Sequence, residues 1–224
     1  MTGAGRGARI GAGREPATPA ARLPNAPLGP TGWHTIGPFF PRTFFQVGDN
    51  DLARLSAEAA PTARGERIRL IGHVLEEGAQ PCVNAVLEAW QADAAGRFRH
   101  PHDPEAHLAD PDFLGWGRAW TDAEGRYEFR TVMPGGYRDR AGPRAPHVNI
   151  AVLASGIMRR LCTTVFFPDF AAANAMDPVL CCLPEPLRPL LVARLEPDAE
   201  GERVFRFDLL LRGAPQEETP FFLD

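Results

Sequence analysis

The chain has no lysine: all 24 basic residues among its 224 are arginine. That absence excludes Schiff-base and pyridoxal-phosphate chemistry and removes the phosphate-binding lysine of a P-loop. The arginines are scattered and the formal net charge is -4, so there is no electrostatic footprint for nucleic acid or for an anionic membrane surface. No charged-then-apolar leader and no long apolar run is present, and neither export nor a membrane span is expected. The four cysteines, Cys82, Cys162, Cys181 and Cys182, include no C-x-x-C pair. They are expected as small core residues in a reducing cytoplasm.

What is present is enough apolar material, 44% of the residues, to bury a core. Residues 1–28 are Gly, Ala, Arg and Pro with almost no large apolar side chains, so burial cannot offset the entropy of ordering them. They are read as an arm ahead of a single domain over 29–224. Leu52 and Leu55 place a short helix in the segment from Asp49 to Ala60. From Arg67 onward period-two alternation takes over: Ile68, Leu70 and Val74; Tyr127, Phe129 and Thr131; Val148, Ile150 and Val152; then Leu161 to Phe167 and Val204 to Leu211. Turn signals separate these runs at Glu77-Gly78, Asp93 to Gly96, Asp122 to Gly125 and Asp198 to Gly201, where Asp closes an Asx turn and Gly supplies a positive φ. The 23 prolines cluster in loops at Pro101 to Pro111, Pro134 to Pro146 and Pro178 to Pro189. The expected fold is mainly β, a β-sandwich with short helices and long Pro-rich loops.

Four ordered motifs carry more specific information: Glu88 to Gly96, Arg118 to Gly125, Thr131 to Gly135, and Ala145-Pro146-His147-Val148-Asn149-Ile150. In that order and spacing they resemble the intradiol ring-cleavage dioxygenases, and within them the α chains of the protocatechuate 3,4-dioxygenases. The resemblance runs from about Thr35 to the C-terminal Phe221-Phe222-Leu223-Asp224. It implies a site in which two tyrosines and a His-x-His pair hold non-haem Fe(III), a hard cation that a catechol chelates before attack by O2. Tyr137 and His147 match two of these positions. The first tyrosine position is Phe98, whose ring has no oxygen, and the second histidine position is Asn149, whose neutral amide is a poor ligand for Fe(III).

Two surviving donors do not make an iron site, so no metal is expected in this chain. The resemblance then implies a hetero-oligomer in which a β chain binds Fe(III) and this chain walls part of the pocket for protocatechuate and O2. It puts that contribution at Thr35, Pro38 and Phe39 and at Ser155, where related α chains usually have Tyr and Arg in place of Phe39 and Ser155. Loss of that arginine leaves the pocket one cation short unless Arg159 or Arg160 replaces it. Tyr137, His147 and Arg144 are read as partners in core hydrogen bonds rather than as a working catalytic group. The alternative from another class is an iron-free sandwich serving as a binding or assembly module.

Other signals have plainer readings. His100 to His107 holds three histidines among two carboxylates, but its prolines and irregular spacing describe a solvated loop rather than a metal site. Trp90, Trp116 and Trp120 are expected in the core, and Cys181-Cys182 as packing residues. Phe221-Phe222 reads as an apolar plug that docks on a partner chain.

Overall fold

The computed structural model describes residues 40, 44–197 and 201–222, all within the unit Trp33–Asp224. Most of its regular structure is strand. The first sheet is built on β1 (Arg67–Leu75), whose residues alternate between partial and full burial along its whole length. β4 (Arg126–Val132) pairs antiparallel with one edge of β1, from Arg67 opposite Val132 to His73 opposite Arg126. On the other edge β10 (Arg203–Arg206) and then β11 (Leu209–Leu210) run parallel to β1, and β9 (Arg194–Glu196) closes the sheet beyond β10.

The parallel ladder breaks between β10 and β11 because two residues, Phe207 and Asp208, intervene. The backbone presses in at that point: a Cβ on Gly72 would collide with the Phe207 carbonyl oxygen, so only glycine allows the approach. The Asp208 carboxylate then accepts from the His73 backbone N–H at 3.0 Å, replacing the ladder acceptor lost at the break.

The second sheet is antiparallel, in the order β3 (Trp116–Trp120), β2 (Val86–Trp90), β7 (His147–Leu153), β8 (Leu161–Phe166). Its inward set, which includes Leu87, Ala89, Val148, Ile150 and Val152, joins Ile68, Leu70, Phe129 and Phe205 from the first sheet in one buried cluster. Phe167 meets Phe205 edge-to-face at 4.9 Å across this core. A small hairpin of β5 (Tyr137–Arg138) and β6 (Pro143–Arg144) stands at the end of the second sheet where β7 begins.

The turns form as their residues dictate. The Asp93 carboxylate accepts from the N–H groups of Ala95 and Arg97, each at 2.9 Å, and the Asp122 carboxylate from those of Glu124 and Arg126. Of the turn at Asp198 to Gly201, residues 198–200 lie outside the described set.

Several expectations need correction. Asp49 to Ala60 is not a helix: Leu52 N–H donates to the Arg130 carbonyl and Arg130 N–H to the Asn50 carbonyl, so the segment lies against β4. Leu52 is buried there, whereas Leu55 is 43% exposed. Pro178 to Pro189 is only partly loop, because Asp177 caps a helical turn, α2 (Pro178–Cys181), by accepting from Val179 N–H at 2.8 Å. It follows α1 (Ala171–Asn174), and a 3-10 stretch over Glu185–Leu191 comes after it.

Cys82 is a core residue, its thiol pushed up to about 12 by burial with Glu76 beside it, but Cys181 and Cys182 are exposed on α2 and its end. Trp90 and Trp116 are exposed too, because Leu87 and Ala89 take the inward positions of β2 and leave Trp90 on the outer face opposite Trp116. Trp120 is half-buried under the ring of Phe45, stacked at 4.7 Å. Phe221 and Phe222 are partly buried against this chain's own core, and the Phe222 N–H donates to the Cys162 carbonyl at 2.7 Å. No helix among the described residues is long and apolar enough to cross a membrane.

Candidate functional site

The motif residues converge because two loops touch backbone to backbone. Gly96 has φ +80°, and a Cβ there would strike the Gly136 carbonyl. Gly135 N–H donates to the Asp93 carbonyl at 2.8 Å, locking the turn after β2 to the segment entering β5. Phe98, on the first loop, therefore reaches Tyr137, on β5, and the rings meet edge-to-face at 5.1 Å. Both residues line a cavity of about 770 Å3 with Trp90, His100 and Asn149.

His147 and Asn149 are two residues apart on β7 and share its outer face, while Val148 and Ile150 point into the core. His147 is nonetheless buried, against Phe166 and beneath the β5–β6 hairpin. Its Nδ1 lies 2.7 Å from the Ala145 carbonyl, which assigns the ring proton to Nδ1 and leaves Nε2 as an acceptor. Tyr137 Oη approaches Nε2 at 3.4 Å and Arg144 Nη2 at 3.5 Å. Burial, with the Arg144 charge adding to it and the Ala145 hydrogen bond opposing, pushes His147 down to about 4, so the imidazole is neutral at pH 7. Burial likewise raises Tyr137 above the usual phenol value, and the residue is a neutral hydroxyl.

Arg144 is held by Asp177 at 3.0 Å and by Asp139 at 3.1 Å. Asp177 is fully buried and also accepts from Ala145 N–H at 2.8 Å, so a single carboxylate ties α2, the hairpin and the guanidinium together. The motif reading missed this carboxylate; the signal was its position directly before Pro178, a helix-start pattern. Asn149 accepts the Thr164 hydroxyl at 2.9 Å through Oδ1, and the residue forms part of the cavity wall.

These residues do not fit a ferric centre of two phenolates and two imidazoles. One phenol and one imidazole meet, Phe98 contributes a ring edge without an oxygen, and Asn149 contributes an amide already bonded to Thr164. Nothing groups three or more His, Cys, Asp or Glu side chains for a metal among the described residues, and this includes the loop from His100 to His107. Ser155 is exposed beyond the far end of β7. It is eight residues from His147, roughly 25 Å along an extended chain, and so is not part of this cleft. Thr35, Pro38 and Phe39 lie outside the described residues.

With this geometry in hand, comparison with known proteins is informative. A family described as Dioxygenase matches residues 36–213. The chain is 39% identical over 178 residues to the protocatechuate 3,4-dioxygenase beta chain of Burkholderia cepacia, covering 77% of this chain and 74% of that one. It is 38% identical over 193 residues to the alpha chain of the same organism, covering 84% of this chain and 94% of that one. Among solved structures, a dioxygenase domain from Streptomyces sp. SirexAA-E superposes with a TM-score of 0.53 at 24% identity, over 83% of this chain and 100% of that one, a likeness of fold.

Proposed function

Because this chain belongs to the intradiol ring-cleavage dioxygenase family, whose members are iron-dependent ring-cleaving oxidoreductases, we propose that it is the subunit that does not ligate iron, an α-type chain of a protocatechuate 3,4-dioxygenase. Overall similarity to α and β chains is nearly equal, so the reading rests on the donor set. The observation that carries the reading is that Phe98 and Asn149 line one cleft with Tyr137, beside the buried His147, so that half of the ligand positions have no suitable donor. Fe(III) then belongs to a β-type partner in a large hetero-oligomer. The assembled enzyme converts protocatechuate and O2 to 3-carboxy-cis,cis-muconate in aromatic catabolism in the cytoplasm. This chain contributes Thr35, Pro38, Phe39 and Ser155 to the partner's pocket, and residues 29–224 act as one domain behind an arm over 1–28.

The test is iron content and protocatechuate-dependent O2 uptake of the full chain alone and co-purified with a β-type partner. An iron-free, inactive single chain and an iron-bearing, active pair support the reading. Iron and turnover in the single chain overturn the ligand argument. If the pair forms no active complex, the iron-free binding or assembly module takes its place.

A further inference from the structure

The chain's thiols differ in access. Cys82 is buried, which pushes its thiol up to about 12, and Cys162 is half-buried on β8. Cys181 and Cys182 are both exposed, and they are neighbours in the chain. Oxidants reach thiols according to exposure, and a second thiol one residue away intercepts the first oxidation product before another molecule can.

The pair also sits where the backbone depends on it. α2 is a single turn, Pro178–Cys181, and the cysteines themselves donate its i to i−4 hydrogen bonds. Cys181 N–H reaches the Asp177 carbonyl at 2.9 Å, and Cys182 N–H the Pro178 carbonyl at 3.0 Å. The two thiols are directed to different acceptors: Cys181 Sγ lies 3.4 Å from the Ala175 carbonyl, and Cys182 Sγ 3.0 Å from the Val179 carbonyl. Successive side chains on a helix diverge by about 100°, and adjacent Cα atoms at about 3.8 Å are closer than the roughly 4.4–6.8 Å that a disulfide usually spans. A bond between these sulfurs therefore does not fit the helical backbone, and forming it drives residues 181 and 182 out of the turn. Asp177 feels that loss directly. Its carbonyl accepts from Cys181, while its carboxylate holds Val179 N–H at 2.8 Å, Ala145 N–H at 2.8 Å and Arg144 at 3.0 Å.

We propose that Cys181 and Cys182 form a peroxide-sensitive site, whose oxidation to a vicinal disulfide opens α2 and loosens the hold of Asp177 on Arg144 and Ala145. One thiol attacks hydrogen peroxide: the O–O bond breaks, its sulfur gains a hydroxyl, and one water leaves. The second sulfur then displaces that hydroxyl as another water, and the S–S bond forms. The peroxide is reduced to two waters as the two thiols give up two hydrogens. A bond closed across adjacent residues is strained and easily reduced, so a dithiol reductant restores the turn. The inference does not rest on the pairing proposed above, and its test needs neither a partner nor activity.

The full chain is treated with hydrogen peroxide and its remaining thiols are alkylated for peptide mass spectrometry. Amide hydrogen exchange is followed on the untreated, oxidised and dithiothreitol-reduced protein. The expected product is a peptide that carries both cysteines, takes up no alkylating agent and is lighter by two hydrogens. The amides of 179–183 exchange about tenfold faster in it, the equivalent of one hydrogen bond lost, and the Ala145 amide accelerates with them. Reductant reverses both changes. Cys181→Ser and Cys182→Ser, each on an exposed position, abolish the product and the change in exchange, whereas Cys162→Ser leaves both in place. Full alkylation after peroxide, a bond to Cys162 or to a second chain, or addition of oxygen without loss of hydrogens overturns the inference. So does a vicinal disulfide that leaves the α2 amides or Ala145 as protected as before.

Discussion

The chain's two tyrosines sit in two regions that use the same side chain differently. Tyr127, on the first sheet, is buried and donates to the Phe207 carbonyl at 2.6 Å, filling the place where Gly72 lets the backbone press in. Tyr137, on the hairpin, is half-buried at a cavity wall and reaches a neutral histidine at 3.4 Å. The first makes one short bond to an obligatory backbone acceptor, and its single donor is fully used. The second is held loosely within a side-chain network whose fixed point is a carboxylate, Asp177, on another element. A short satisfied bond fixes the side chain to the backbone, and a long one beside a cavity holds it less tightly.

The largest expected effect tests the fixed point of the cleft. Asp177→Ala removes the partner of a guanidinium only 11% exposed, an acceptor for Ala145 N–H and the cap of α2. A loss of about 3–5 kcal/mol in urea unfolding is expected. A loss below about 1 kcal/mol, the worth of an exposed pair, would mean that the network does not hold this region.

Next comes acid. His147 titrates near 6.5 when unfolded and near 4 when folded, so the unfolded chain binds the proton first. Stability from this group is complete above about pH 6.5 and falls as the pH drops towards 4, by up to about 3 kcal/mol at roughly 1.36 kcal/mol per pH unit. The urea midpoint of His147→Gln should therefore depend less on pH than the wild type between 4 and 6.5. Equal slopes in the two proteins would show that the imidazole is not held neutral by burial.

The two tyrosines can then be compared directly. Tyr127→Phe leaves the Phe207 carbonyl without its buried donor and is expected to cost about 1–3 kcal/mol. Burial, with Asp208 adding to it, raises the Tyr127 phenol well above its ordinary value. Its contribution is thus present below about pH 10, the ordinary phenol value, and is lost as the pH rises further. The wild type should lose more stability than Tyr127→Phe on that alkaline limb. The smallest effect is expected at Tyr137→Phe, under about 0.5 kcal/mol in the same unfolding experiment, because the bond it removes is already long. Equal losses at the two positions would erase the contrast between the regions.

Much of the framework is readable from residue pattern. Alternation at Ile68, Leu70 and Val74 and at Val148, Ile150 and Val152 marks strands, and Asp93 and Asp122 close the turns their spacing suggests. The pattern misleads where a local signal meets a long-range one. Leu52 and Leu55 have helical spacing, yet Leu52 N–H is taken by Arg130 on β4, which lies far along the chain. Trp90 and Trp116 look like core residues by size, yet their strands turn smaller residues inward, and period two does not say which face a second sheet will cover. Asp177 was not readable as part of the site because its partners, Arg144 and Ala145, lie on a hairpin more than thirty residues earlier.

The sequence by itself determined the donor chemistry: a ring without oxygen at 98, a phenol at 137, an imidazole at 147 and an amide at 149 are covalent facts that no fold can change. It also determined the strands, because alternation of apolar and polar side chains allows few other ways to bury one face. Only the tertiary structure decided that Phe98, Tyr137 and Asn149 line one cleft with His147 buried beside Tyr137, that Trp90 faces the cleft, and that Asp177 anchors Arg144 beside it from α2. The physical reason is that burial and hydrogen-bond geometry depend on which distant segments pack together. Those contacts also set the state of His147, since it is the protein packed around the ring, more than the identity of its neighbours in sequence, that keeps it neutral.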